Sequence, residues 1–545
     1  MSSQAASSRP ATAPRTAGGT AVGTGRPRAL RSRSSVRVGA LTVAAALVYC
    51  LDSLNLFRRF LASTFDLVIF DQGIRGYAHL SAPVSIARGV SDGQGAHLEL
   101  LADHWSPLLA LLAPLYWIHD SPTTLLVAQG VLFALAIPPL WAYTRRRLGP
   151  GAAYFVCVAY ALSLPVMAAV IFDFHEVAFV PVLTAVMVER FDAGKRWHGI
   201  LAALALLLVK EDMGLLVAGF GGYLLLTRWR SEKWTGLAFV AGGIFATWAA
   251  THLLIPAFGG SATFYWAYGQ FGSTLGSALL NVLTHPLHAL HVFVTPPVKA
   301  RTMIGLLAMF ALLPLASPMV IAALPLLAER MLASGYPLWW QAKFQYDAFL
   351  IMILCCAAVD GAARLQKHWP SRWNSWLTYP FGRPSWLRRG GAAWPPATLW
   401  AAGICAASLV YLPSSPFGSL LKPGFYNTNA RMRAAAAAVA HVPAGVEVEA
   451  SNNVGPALSG RDTVLLLDGT PRWAPWVVGD TIGLDFPFCT PTQQAEEVAY
   501  LRAHGYAQVF AADGYVVLHR PADAHTAQAL AHPPPAARLH TDICY

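Results

Sequence analysis

The sequence predicts an α-helical polytopic membrane protein of about 11 transmembrane helices with a small α/β extracytoplasmic C-terminal domain. Three observations predict it. Charged residues are 12% and hydrophobic residues 55% of the chain, against about a quarter charged in an ordinary soluble protein. Many of the apolar runs approach the roughly 20 helical residues needed to cross a bilayer core. Arg/Lys clusters bound those runs and alternate to one side when the chain is threaded in order, as positive-inside topology requires.

The first 38 residues hold Arg9, Arg15, Arg26, Arg28, Arg31, Arg33 and Arg37 and no acid. The rest of that segment is mainly Ser, Ala, Gly, Thr and Pro, so 1–38 reads as a disordered basic cytoplasmic tail. Much of the +11 net charge resides there and is no nucleic-acid signal. The tail also resembles a signal-peptide n-region, but residues 39–57 lack a small-residue cleavage site and read as a retained outward span. Residues 58–122 form the first external loop, in which apolar 107–118 is too short to cross and reads as an interfacial helix. Residues 123–144 return to Arg145-Arg146-Arg147. The spans 151–171 (out), 177–190 (in), 198–209 (out), 213–227 (in) and 235–257 (out) follow. Residues 258–301 read as a long external loop. Two short spans, 303–315 and 317–328, break at Pro314 and Pro318. Residues 347–363 run inward to Arg364, Lys367, Arg372, Arg383, Arg388 and Arg389, and 395–412 run out. The transmembrane domain is thus 39–413 and the external C-terminal domain 414–545.

In that domain 429–441 and 491–504 read as helices, and Val446–Glu449 and Thr463–Leu467 as strands. Ala507–Phe510 and Tyr515–Leu518 flank Asp513-Gly514, a hairpin signal. Cys50, Cys157, Cys355, Cys356 and Cys405 lie in apolar runs and behave as small hydrophobes. Cys489 and Cys544 would share an oxidising compartment, where pairing and free thiols are both open.

With only 28 acidic residues in 545, the polar clusters stand out. Asp66 and Asp71 lie in Phe65–Gln72. Asp71 is flanked by Ile69, Phe70 and Ile74; apolar surroundings raise a carboxylate's pKa and suit it to accepting a proton near neutrality. The plainer reading is a solvated carboxylate or the cap of a helix beginning at Gln72. Asp103-His104 precedes the apolar helix at Pro107; His104 orients a carboxylate, binds a phosphate, or anchors the interface with Trp105. Asp173, His175 and Glu176 follow one span; Lys210, Glu211 and Asp212 end another, as cavity groups or as a local ion pair. Lys343, Gln345 and Tyr346 follow Trp339-Trp340, suited to pairing a surface phosphate or to anchoring. Neither Asp173/His175/Glu176 nor His285/His288/His291 has convincing metal-ligand spacing, so no metal ligand is assigned, although a divalent ion is compatible.

The words FDLVIFDQ, DHWSP, FDFHE and LVKED, with Gln345-Tyr346 later, resemble a large bacterial family of predicted membrane proteins catalogued as a domain of unknown function. Val446–Arg461 (VEVEASNNVGPALSGR) looks like that family's external tail. The resemblance covers about residues 40–365 plus the tail. The layout is similar to the C-type glycosyltransferases, which take a sugar from a polyprenyl-phosphate carrier at the outer face. Those enzymes carry an essential acid in the first external loop, a role that falls by position on Asp71 or Asp66. No motif matches their carrier-phosphate cations, leaving Lys210, Lys343 or Arg301 for that role.

The resemblance therefore implies a C-type glycosyltransferase-like fold in the plasma membrane of a bacterium. The expected function is transfer from a polyprenyl-phosphate sugar, the donor substrate, to an envelope glycan or protein. Asp71 is the expected base, supported by Asp66 or His104. Asp173, His175, Glu176, Lys210, Glu211, Lys343 and Tyr346 are the expected substrate-binding residues. The expected partners are the lipid bilayer, the lipid-linked sugar and the acceptor, not nucleic acid. A transporter or flippase for a lipid-linked or anionic solute, and a non-catalytic envelope assembly protein, are the competing readings.

Overall fold

Inside a bilayer a helix satisfies its backbone polar groups within itself, and the apolar runs of this chain fold accordingly. The computed structural model describes residues 28–368 and 394–520. Five described helices are long and apolar enough to cross a membrane: Arg33–Arg58, Thr123–Leu148, Met213–Ala257, Gln345–Lys367 and Pro396–Ser414. Two bent pairs pass the same test together, Pro150–Ala161 with Leu164–Ile171 at 40° and Leu275–Thr284 with Pro286–Val294 at 103°. Gln345–Lys367 is the most buried of the five and supplies Leu350–Val359 to the centre of the core.

Several expectations change. The first helix starts at Arg28, directly after Pro27, so Arg28–Val38 is helical rather than disordered; beyond that proline the segment holds good helix formers and no breaker. Residues 1–27 and Arg372, Arg383, Arg388 and Arg389 lie outside the described residues. The expected spans 213–227 and 235–257 form a folded-back pair. Arg228 and Glu232 leave helical geometry, and glycines let the arms touch: Gly214 lies against the Gly243 carbonyl and Gly221 against that of Gly236. The expected spans 303–315 and 317–328 are not found as such. A helix over Pro297–Ala308 stops where Ala311 and Leu312 take φ of 52° and 60°. Short 3-10 turns over Leu313–Ala316 and Pro318–Ala323 follow, then a helix over Leu324–Leu332. Residues 258–301 contain the sharply bent apolar pair, where a loop was expected. The helices Phe179–Asp192 and Arg196–Leu206 stand close to the expected 177–190 and 198–209. Pro107–Tyr116 is a short apolar helix.

The C-terminal region carries a sheet. Its strands are β1 (Glu447–Ala450), β2 (Thr463–Leu466), β3 (Trp476–Asp480), β4 (Ala507–Ala512) and β5 (Tyr515–His519), in the order β2-β1-β3-β5-β4. β1 runs parallel to β2 and β3, while β5 is antiparallel to β3 and β4. Asp513 and Gly514 turn the β4–β5 hairpin at φ of 43° and 87°, the left-handed pair that such two-residue turns require. Helices over Ala430–His441 and Pro491–Ala503 accompany the sheet. Sequence reading missed β3, whose short apolar run lies between Pro475 and Thr481. Cys489 is disulfide-bonded; Cys544 falls outside the described residues, and the five cysteines in apolar runs are free.

Candidate active site

Asp66 sits in a single helical turn, Thr64–Val68, that leads into the helix Ile69–Ala78. The opening N–H groups of a helix have no partner within it, and here three separate parts of the chain supply them. Ser63 N–H donates to Asp173 Oδ2 at 3.0 Å. Thr64 N–H donates to the Asn452 carbonyl at 2.6 Å, Phe65 N–H to Asn452 Oδ1 at 2.9 Å, and Asp66 N–H to Ser63 Oγ at 3.1 Å. The Asp66 carboxylate meets His175 Nε2 at 3.3 Å and accepts from Ser63 Oγ at 3.2 Å. Its side chain is 24% exposed while that of His175 is 8% exposed, so the pair has one open member.

The turn Asp173–Glu176 is held by Gln129, which protrudes from an otherwise apolar span. Its amide donates to the Ala169 and Asp173 carbonyls and its oxygen accepts from His175 N–H at 3.0 Å. Asp173 takes a φ of 43°, costly for a residue with a side chain. Burial, with Asp66 beside it, pushes the Asp173 carboxyl up to about 7. Burial opposes a charged His175, but the Asp66 hydrogen bond and the charges of Asp66, Glu176 and Asp173 raise its pKa above the usual range. Phe172 stacks on the imidazole at 5.3 Å.

Lys210 donates to Glu176 Oε1 at 2.7 Å, which carries the network from Asp66 and His175 to the next word. Burial works against the Lys210 ammonium, yet Glu176, Glu211 and Asp212 raise its pKa. Glu211 bonds His104 Nδ1 at 2.8 Å and accepts from Trp105 N–H at 3.1 Å. Burial opposes ionisation of Glu211, but His104 and Lys210 hold its pKa down at about 2. Tyr265 stacks on His104 at 4.8 Å and donates to Asp103 at 2.6 Å, while Arg88 pairs with both Asp103 and Asp92. The Tyr346 ring meets Phe344 at 6.3 Å and the Arg330 guanidinium at 5.9 Å. Lys343 is exposed, its ammonium 5.1 Å from the ring centre of Phe344, and that ring meets Phe172 at 4.8 Å.

Residues 57–379 match the family described as Predicted membrane protein (DUF2079). The chain belongs to the DUF2079 family. No curated protein matches it. Among solved structures, ArnT from Cupriavidus metallidurans bound to undecaprenyl phosphate aligns at 13% identity over 89% of this chain and 98% of that one, TM-score 0.46. The Archaeoglobus fulgidus oligosaccharyltransferase tethered to an acceptor peptide aligns at 11% identity, over 82% of this chain and 69% of that one, TM-score 0.43.

In this DUF2079 protein the clusters at His104, Asp173–Glu176 and Lys210–Glu211 converge with Asp66. Asp71 does not join. It is fully buried and accepts two hydrogen bonds from Arg75 (2.9 and 3.1 Å), one from Tyr116 at 2.7 Å and one from Ser459. Burial raises its pKa, offset by Arg75, Ser459 and Tyr116. A carboxylate so surrounded has no free face for a substrate and serves as a tie between the first loop and the C-terminal region. Arg301 is exposed. His285, His288 and His291 are exposed around the sharp bend, and among the described residues no group of three or more His, Cys, Asp and Glu is placed to hold a metal ion. Sequence reasoning missed Ser63, Arg88, Gln129, Tyr265 and Asn452. Gln129 had a signal, a lone amide in an apolar span; Asn452 had none beyond its place in the word SNNVG.

Proposed function

We propose that this protein is a membrane glycosyltransferase that moves a sugar from a polyprenyl-phosphate carrier to an envelope acceptor on the outer face of the plasma membrane. In this reading the N-terminus is cytoplasmic, and residues 58–122 and 414–545 lie outside, as two extracytoplasmic parts around one site. The observation that carries the reading is the Asp66–His175 pair: a part-open carboxylate bonded at 3.3 Å to a buried imidazole. The resemblance in layout to the C-type glycosyltransferases and the ion pairs gathered beside this pair support it.

Asp66 takes the role of base that the sequence assigned to Asp71. The acceptor hydroxyl oxygen attacks the sugar's anomeric carbon, its proton passes to Asp66, and the bond from that carbon to the phosphate oxygen breaks. The leaving polyprenyl phosphate takes the bonding electrons, and positive groups aimed at that developing charge lower the barrier. Lys343 is exposed and makes no ion pair among the described residues, so it is free to meet the phosphate; Lys210, neutralised by Glu176, holds that carboxylate next to His175. His175 orients Asp66, and His104 holds Glu211 beside Lys210.

Polar groups gathered beside the helix ends, rather than along the middle of spans, favour this reading over a transporter. The test compares full-length protein with its Asp66→Asn variant in membranes, following polyprenyl-phosphate sugars by mass spectrometry of extracted lipids. Loss of turnover by about 100-fold or more at equal protein level is expected. Wild-type turnover in the variant would end the proposal.

A further inference from the structure

The turn that carries Asp66 does not complete its own cap. Two of its opening N–H groups, those of Thr64 and Phe65, end on one residue 387 or more positions away: the carbonyl of Asn452 at 2.6 Å and its Oδ1 at 2.9 Å. Thr64 Oγ1 donates to the same carbonyl at 2.8 Å. Asn452 is buried and stands just past the carboxyl end of β1, in the run Ser451–Val454 that turns away from the sheet. β1 lies between β2 and β3, so the connection from β1 to β2 and the next one from β2 to β3 run in opposite directions across the sheet. Carboxyl ends of parallel strands at such a reversal leave a crevice, and the segment bearing Asp66 fills it. Gly455 permits the approach, because a Cβ there would collide with Thr64 Oγ1.

The cap is itself braced. The Asp485 carboxyl lies beside the Asn452 side chain and accepts from Asn453 N–H at 2.9 Å. Phe65 packs on Phe486 at 5.0 Å, and the Arg88 guanidinium lies 5.2 Å from the Phe65 ring centre. The amide oxygen accepts from the Asp66 turn, and the same side chain lies beside the Asp485 carboxyl. A residue without that oxygen leaves the Phe65 N–H without its acceptor.

We infer that Asn452 is a positioning residue for Asp66, which makes the C-terminal region a structural part of the site rather than an appendage to it. This rests on the assignment of Asp66 as the base. Because Asn452 bonds the backbone and not the carboxylate, it sets where the Asp66 side chain points without touching substrate, and small displacements of a reacting group cost large factors in rate.

The experiment uses the full chain in membranes, with wild type, Asn452→Ala, and the swapped double variant Asn452→Asp/Asp485→Asn. The swap keeps an oxygen for Phe65 N–H and keeps one amide and one carboxyl side by side. Hydrogen exchange of the peptide covering Thr64–Asp66 and turnover of polyprenyl-phosphate sugars are both read. Asn452→Ala, which keeps the carbonyl that meets Thr64 N–H but removes the acceptor of Phe65 N–H, should speed exchange at Phe65, leave exchange in β1–β5 unchanged, and lower turnover by about tenfold or more; the swapped variant should recover both. Faster exchange with undiminished turnover overturns the inference while leaving the role of Asp66 standing. Loss of both readouts in Asn452→Ala without recovery in the swapped variant also overturns it. Undiminished turnover in Asp66→Asn removes the reading beneath it and is scored separately, since the exchange result does not depend on it.

Discussion

The carboxylate at position 71 sits among Ile69, Phe70 and Ile74, and that neighbourhood makes burial and a raised pKa legible in the sequence. What the neighbours could not convey is that Arg75, Tyr116 and Ser459 fill its hydrogen-bonding capacity, because two of those three come from other segments. Removing one member of a buried ion pair strands the other, at about 3 kcal/mol or more. Asp71→Asn should therefore lower the melting temperature and the yield of folded protein in a solubilised preparation, since Arg75 keeps only Asp120 as a charged partner. Asp66→Asn should instead leave stability near wild type and remove turnover. The contrast separates a structural carboxylate from a reacting one, and near-normal yield for Asp71→Asn would undo it. His104, His175 and Lys210 were legible as clustered polar words; their shared network was not.

At the scale of elements, the glycines of the folded-back pair behave unequally. A Cβ on Gly214 would run into the Gly243 carbonyl and Thr247, whereas one on Gly242, in the facing arm, would meet nothing within 4 Å. Gly214→Ala should destabilise the pair by about 1–3 kcal/mol through overpacking, while Gly242→Ala should be neutral or stabilising by up to about 1 kcal/mol from helix propensity. Melting of the two variants in the same detergent checks the difference. The sheet offers a pH test. Glu449 on β1 is fully buried and accepts from Arg472 and Ala474 N–H groups at 3.0 Å; burial raises its pKa from 4.5 to about 7. A folded-state pKa above the unfolded one means that its stabilising contribution is complete below 4.5 and is lost as pH rises through about 7. Glu449→Gln keeps an acceptor for both N–H groups, so the fall in melting temperature between about pH 5 and about pH 8 should become shallower in that variant. An unchanged slope would show that Glu449 does not titrate in the folded protein.

Across the whole molecule, the first loop and the sheet fasten at three places. Asn452 holds Thr64 and Phe65, Ser459 reaches Asp71, and the Val464 carbonyl accepts from Gln72 at 2.9 Å. These points cover the length of the word FDLVIFDQ, so its polar residues divide between holding the two regions together and facing the network with His175. Much of the architecture was legible because its cause is local. Apolar runs make helices wherever they lie, and Asp513-Gly514 makes a turn between any two strands. The spans that failed, 303–315 and 317–328, did so where Ala311 and Leu312 adopt left-handed backbone, a conformation that no side chain there announces.

The sequence alone determined that this is a helical membrane protein with a small C-terminal sheet, because hydropathy, charge placement and turn residues act within a few positions of themselves. It also determined which words carry charge into apolar surroundings. Only the tertiary structure decided which carboxylate in the first loop stays open, since Asp66 and Asp71 differ little in neighbours and wholly in partners. Those partners, His175 and Asp173 for one segment and Ser459 and Tyr116 for the other, come from separate parts of the chain. A hydrogen bond between residues hundreds of positions apart leaves no periodicity to read.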